Sequence, residues 1–190
     1  MDAIKKNIAE ALQLKQQLVE DFDFQHRIQL AADLCVESFM NNGKVLLCGN
    51  GGSAADAQHI AAELSGRFKL DRPPLYAEAL HVNSSFLTAV ANDYGYDQVF
   101  ARMTLAAGNN HDILIAISTS GNSSNVVQAV HAARSKNMKV IGLTGINGGD
   151  MAKLCDVLIN VPSQNTARIQ EIHILVGHIL CEIIEEKIFT

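Results

Sequence analysis

A histidine and a glutamate four residues apart, His59 and Glu63, fall within a run of small and apolar residues. At that spacing two helical side chains share a face. Imidazole and carboxylate so placed can be two ligands of one metal ion, or a general base with its partner. They can equally make a single hydrogen bond on an exposed polar surface. Gln170, His173 and His178 lie near the end of the chain among isoleucine and leucine. Residues 170 and 178 are about 80° apart around an ideal helix, so both can border one cavity. A histidine on an apolar helix is more often a satisfied core or interface residue than a ligand. Spacing alone does not join this helix to His59 and Glu63.

Two segments rich in glycine and hydroxyls offer a second kind of chemistry. Gly49-Asn50-Gly51-Gly52-Ser53 and Ser118-Thr119-Ser120-Gly121-Asn122-Ser123-Ser124 each separate a short apolar run from a helical pattern. Glycine lets backbone approach a ligand closely, and hydroxyls beside free N–H groups at a helix start suit a phosphate. The same residues also serve ordinary turns and caps. Two such loops on neighbouring strand ends strengthen the phosphate reading. The second loop lacks the lysine of a P-loop and suits a monophosphate ester better than a nucleotide. The first, extended to Ala54, formally fits the G-x-G-x-x-A dinucleotide fingerprint. That fingerprint wants an acid at the end of the next strand, which here reads Ala79-Leu80-His81-Val82-Asn83, with Glu78 inside the strand.

The elements that must carry these groups follow from periodicity. The first forty residues contain neither Gly nor Pro and read as two helices broken at 21–23. Ile4, Ile8, Ala11, Leu12, Leu18 and Val19 form one apolar stripe; Ile28, Ala31, Ala32, Cys35, Val36 and Phe39 form a second. Asn41-Asn42-Gly43 stops the second helix. Beyond Gly43 short apolar runs at 44–48, 75–80, 113–117, 139–143 and 157–161 predict strands, mostly buried on both faces. Helical stretches at 54–64, 84–107 (broken near Gly95), 125–135 and 149–154 alternate with them. A last helix at 167–187 is apolar on more than one face, as expected for burial against its own sheet and against another subunit. The alternation predicts a three-layer α/β fold around a parallel sheet, with one domain spanning 1–190. Within it, 1–42 are N-terminal helices, 43–165 the α/β core and 166–190 the C-terminal helix.

Composition narrows the function classes. Of 190 residues, 48% are hydrophobic and 18% charged, which excludes a disordered or fibrous chain. Lys and Arg number 15 against 20 Asp and Glu, a net charge of −5 that weighs against nucleic-acid binding through phosphate neutralisation. No stretch reads as a membrane span, and the opening MDAIKKNIAE reads as an amphipathic helix rather than a signal peptide. Cys35, Cys48, Cys155 and Cys181 are widely spaced, which fits buried thiols in a reducing cytoplasm.

Several motifs in order resemble the phosphoheptose isomerases, enzymes built on the sugar-isomerase (SIS) domain. They are VLLCGNGGSAADAQHIAAELSGRF (45–68), Ala91-Asn92-Asp93, ISTSGNSSNVV (117–127), LTGINGG (143–149) and RIQEIHILVGHIL (168–180). The resemblance covers nearly the whole chain. It implies an αβα sandwich around a five-stranded parallel sheet, and a homotetramer with active sites between subunits. It also implies conversion of sedoheptulose 7-phosphate to D-glycero-D-manno-heptose 7-phosphate, toward the heptoses of lipopolysaccharide. On this resemblance Ser118, Thr119, Ser120 and Ser123 hold the phosphate, while Asn50, Gly51, Gly52, Ser53, Asn92 and Asp93 contact the sugar. Glu63 and Gln170 also match substrate-binding positions. His59, Glu63, Gln170 and His178 match a zinc site, one ion per subunit, and Glu63 and His178 the acid–base pair. Two features depart from the enzymes. Ala167 stands where an aspartate can occur, and the helix starting at Ser53 is as similar to a non-catalytic relative that binds the replication initiator DnaA. That adaptor, the alternative function, lacks both the glutamate and the histidine of the acid–base pair.

Overall fold

The computed structural model describes residues 2–190. Two helices, α1 (Asp2–Val19) and α2 (Phe22–Met40), precede the sheet. They are separated by Asp21, whose carboxylate accepts from the Phe24 N–H and caps α2. Then follow β1 (Val45–Gly49), α3 (Gly52–Ser65), β2 (Ala77–Ala79), α4 (Ser84–Tyr94), α5 (Val99–Ala107), β3 (Ile113–Ser118), α6 (Ser124–Ser135), β4 (Lys139–Thr144), β5 (Val157–Asn160) and α7 (Thr166–Phe189). A 3-10 turn at Tyr96–Gln98 separates α4 from α5 after Gly95, and another occupies Gly149–Lys153. All five strands are parallel, in the order β2-β1-β3-β4-β5. The three-layer α/β architecture is the one expected.

Alternating side chains of the strands feed two cores, which is why the runs read as continuously apolar. Leu47, Ile115, Ile141 and Ile159 face α2, α3 and α7. Leu46, Leu114, Ala116 and Val140 face α4, α5 and α6. Two expectations change. β2 is shorter than 75–80, because the Leu75 N–H turns back to the Leu64 carbonyl at the end of α3 and does not enter the ladder. In α1 it is Leu14 and Leu18 that are buried, while Ile4, Ile8, Leu12 and Val19 are more than half exposed. Most of the α1 stripe therefore faces away from this chain's core. Periodicity marks an apolar face without saying what covers it.

Candidate active site

The chain passes from β1 outward to β2 and returns to pair β3 with the other side of β1. Such a switch point opens a crevice at the carboxyl ends of β1 and β3. The two glycine- and hydroxyl-rich loops leave from those ends. Their side chains meet across the crevice: Asn50 Nδ2 donates to Asn125 Oδ1 at 2.8 Å, and Asn125 Nδ2 donates back to Asn50 Oδ1 at 2.9 Å. The Tyr96 hydroxyl reaches the same Asn50 Oδ1 at 3.2 Å. Asn125 is buried in the first turn of α6, so this contact ties three segments together.

In the β3–α6 loop the hydroxyls cluster. Ser118 Oγ lies 2.9 Å from Ser123 Oγ and 3.4 Å from Ser120 Oγ. Ser120 Oγ also accepts from the Asn122 N–H at 3.1 Å. Ser123 occupies the N-cap of α6, yet its side chain makes no cap bond and turns to Ser118 instead. The loop is shaped by Gly121, at φ +70, where an added Cβ would meet the Gly148 carbonyl at 2.0 Å. Behind it the Gly145 N–H holds the Thr119 carbonyl at 2.9 Å. Hydroxyls at a helix start, with no lysine or arginine among them, make a cradle for a phosphate monoester.

A second constellation lies where α3 and α7 run side by side in the same direction. An added Cβ at Gly52 would sit 2.5 Å from Gln170 Nε2, and one at Gly177 would sit 2.5 Å from Ile60 Cδ1. This close approach sets His59 beside His178. Their Nε2 atoms are 3.1 Å apart, and Glu63 Oε1 is 3.1 Å from His59 Nε2. One ligand atom from each of the three residues falls within 4.8 Å of the others. The His59 side chain is 49% exposed and that of Glu63 26%, so the cluster opens to a ligand. The Phe68 ring also stacks on His178, centroids 5.7 Å apart.

His59 Nε2 faces a carboxylate oxygen and a second imidazole nitrogen at equal distance, and its single proton can satisfy only one of them. A divalent cation would take all three lone pairs. Two imidazole nitrogens and a carboxylate oxygen are a donor set that suits zinc, so these residues fit such an ion. Gln170 sits beside Gly52, eight residues and about 12 Å in axial rise along α7 from His178. Asn92 and Asp93 lie exposed on the last turn of α4, with Asn92 Nδ2 donating to Asp93 Oδ1 at 2.8 Å.

Other candidates fall outside the site. His173 is fully buried, with Nε2 bonded to the Thr144 carbonyl at 3.2 Å and burial holding its pKa down to about 4. It is a core residue. Burial pushes all four cysteine thiols up to about 12, so none is poised as a nucleophile. Four residues near the site were given no role by the sequence: Asn125, Phe68 and Asp56, which lie within the quoted motifs, and Tyr96, which lies outside them. Asp56, one turn before His59, is a carboxyl that burial raises to about 6 while His59 pulls it the other way. Only contacts between distant segments reveal Asn125, Tyr96 and Phe68.

The sheet order, the crevice at its switch point and the hydroxyl cradle define an SIS domain, and the SIS domain family profile matches residues 8–145. The phosphoheptose isomerase of Aneurinibacillus thermoaerophilus is 48% identical over 99% of this chain and 95% of its own length. That of Sulfurimonas denitrificans is 50% identical over 98% and 95%. The structure of phosphoheptose isomerase GmhA from Neisseria gonorrhoeae superimposes with a TM-score of 0.91 at 46% identity, covering 97% of this chain and 98% of that one. The chain belongs to the phosphoheptose isomerases of the SIS family.

Proposed function

We propose that this chain converts sedoheptulose 7-phosphate to D-glycero-D-manno-heptose 7-phosphate, a step of heptose biosynthesis. The observation that carries the chemistry is the meeting of Glu63 and His178 at His59, through two 3.1 Å contacts, on a surface open to a ligand. Relatives of the same name and nearly the same length support the substrate.

Ser118, Thr119, Ser120 and Ser123 hold the phosphate, and Asn50, Gly51, Gly52, Ser53, Asn92 and Asp93 orient the sugar hydroxyls. Moving the carbonyl from C2 to C1 transfers one proton between carbons and one between oxygens. Glu63 takes the proton from C1, leaving a cis-enediol, and returns one to C2. His178 gives a proton to the oxygen on C2 and accepts one from the oxygen on C1. Zinc, one ion per subunit, would be held by His59, Glu63, Gln170 and His178 and would supply Lewis-acid polarisation of the sugar oxygens, Glu63 and His178 each either ligating the ion or carrying a proton at any one time.

Gln170 Oε1 and His178 Nε2 extend from one face of α7, so their side chains can close the axial gap between them and reach one ion. The exposed Ile4, Ile8 and Leu12 of α1 support a homotetramer, with sites between subunits. Residues 1–190 form one domain on this reading, since α1, α2 and α7 share a core with the sheet. Four free cysteines support a cytoplasmic location. No helix among the described residues is long and apolar enough to cross a membrane. Nothing favours the DnaA-binding alternative, and the chain keeps both Glu63 and His178.

Proton NMR of sedoheptulose 7-phosphate in D2O with the purified protein tests the proposal. An aldose anomeric signal, with deuterium entering beside the carbonyl, is the expected result. An unchanged spectrum from folded, zinc-loaded protein would refute it.

A further inference from the structure

Between α3 and β2 the chain crosses α7 as a strap, residues 66–72, which begins three residues after Glu63. Its backbone is gathered by one carboxylate. Glu185 Oε1 accepts from the Phe68 N–H at 3.0 Å, and Oε2 from the Lys69 and Leu70 N–H groups at 2.9 and 3.1 Å. Arg72 Nε donates to the same carboxylate at 2.9 Å, and each side chain of the pair is 2% exposed. The guanidinium also reaches back to α3, donating to the Glu63 carbonyl at 2.9 Å and the Leu64 carbonyl at 2.7 Å. Glu185 lies seven residues beyond His178, two turns along the same face of α7. This knot therefore ties the backbone of Glu63 to the helix that carries His178.

A buried ion pair is a poor device for stability alone, since desolvation offsets most of its attraction. It is a good device for holding one geometry, and what it fixes here is an aromatic ring. The Phe68 ring lies within 15° of parallel to the His178 imidazole, centroids 5.7 Å apart. The His59 ring stands edge-on to His178 at 5.1 Å and 65°. Rotation of the imidazole about its χ2 would give up the stacked contact with Phe68 and turn Nε2 away from His59.

We propose that Phe68, fixed by the Glu185–Arg72 pair, is a positioning residue that keeps the His178 imidazole turned toward His59 and Glu63. Phe68 touches no reacting atom and acts through His178. The proposal rests on the role given to His178 above.

The test compares Phe68→Ala, Phe68→Leu and Phe68→Tyr with His178→Gln in steady-state kinetics on sedoheptulose 7-phosphate, folding being checked by circular dichroism. Losing the stacked face lowers kcat about tenfold while KM stays within about twofold, since misplaced groups cost transition-state contacts and leave substrate binding intact. Phe68→Leu keeps apolar bulk in the strap should the alanine variant fail to fold, and Phe68→Tyr, which keeps the ring, restores kcat. Nitrogen-15 NMR of the metal-free protein supplies a readout independent of turnover: one sharp imidazole pattern for His178 in the parent and the tyrosine variant, an exchange-averaged one in the leucine variant. Wild-type kcat in folded leucine or alanine variants, with His178→Gln inactive, would overturn the proposal alone. A rise confined to KM, or failure of tyrosine to rescue, would also overturn it. A fully active His178→Gln would remove the role of His178 itself.

Discussion

Gly177 faces Ile60 across the contact between α3 and α7, so closely that a Cβ at 177 would stand 2.5 Å from Ile60 Cδ1. The next residue along α7 is His178, and the residue before Ile60 is His59. Gly177→Ala must therefore displace the Ile60 side chain, and with it the packing of α3 on α7, at the point where the two imidazoles meet. Overpacking of this kind costs about 1–3 kcal/mol. The expected variant is folded, melts at a lower temperature, binds zinc more weakly and turns over slowly. Parent-like zinc affinity and kcat, measured by chelator competition and steady-state assay, would show that helix spacing does not govern the cluster.

Glu63→Gln retains shape and one acceptor but cannot take a proton from carbon. General acid–base groups contribute about 10²–10⁴-fold, so kcat should fall by at least about a hundredfold with the fold unchanged. Deuterium exchange from D2O into the substrate should fall with it. Exchange that persists without net isomerisation would assign the carbon-bound proton to another group.

Removing Asn125 should weaken substrate binding without touching the acid–base pair. Its amide is buried and exchanges two hydrogen bonds with Asn50, joining the β1–α3 and β3–α6 loops. Asn125→Ala leaves Asn50 with only Tyr96, at a cost of about 1–3 kcal/mol. KM should rise several-fold more than kcat falls. The opposite split would mean that the two loops do their work in the transition state.

Acid stability offers a fourth test, through His173. Burial holds its imidazole down to about 4 against an ordinary 6.5, and the bond to the Thr144 carbonyl only partly opposes this. Below pH 6.5 the unfolded chain takes up a proton there and the folded chain does not. Stability from this residue is therefore complete above pH 6.5 and is lost as pH falls toward 4, by up to about 3 kcal/mol. Denaturant melts across that window should show a slope that His173→Gln flattens. An unaltered slope would put the titration elsewhere.

The sequence made the strands legible because burial on both faces leaves unbroken apolar runs, and only β2 was misjudged in length. There the Leu75 amide bonds to the end of α3, a contact no local pattern records. The outward face of α1 was equally hidden, since an apolar stripe looks the same whether its own core or another surface covers it. His59 and Glu63 were legible as a pair from helical spacing. Their meeting with His178 depends on the register between α3 and α7, which small residues at 52 and 177 set from more than a hundred residues apart. Asn125, Tyr96 and Phe68 act through contacts of the same long range, so even where a motif contains them it does not give their part.

Ile4, Ile8 and Leu12 stand more than half exposed along α1. An apolar stripe of that kind left in water draws copies of the chain together. Its burial on assembly then joins folding to association, so the melting temperature should fall on dilution along with the particle mass, a dependence that a self-sufficient single chain would not show.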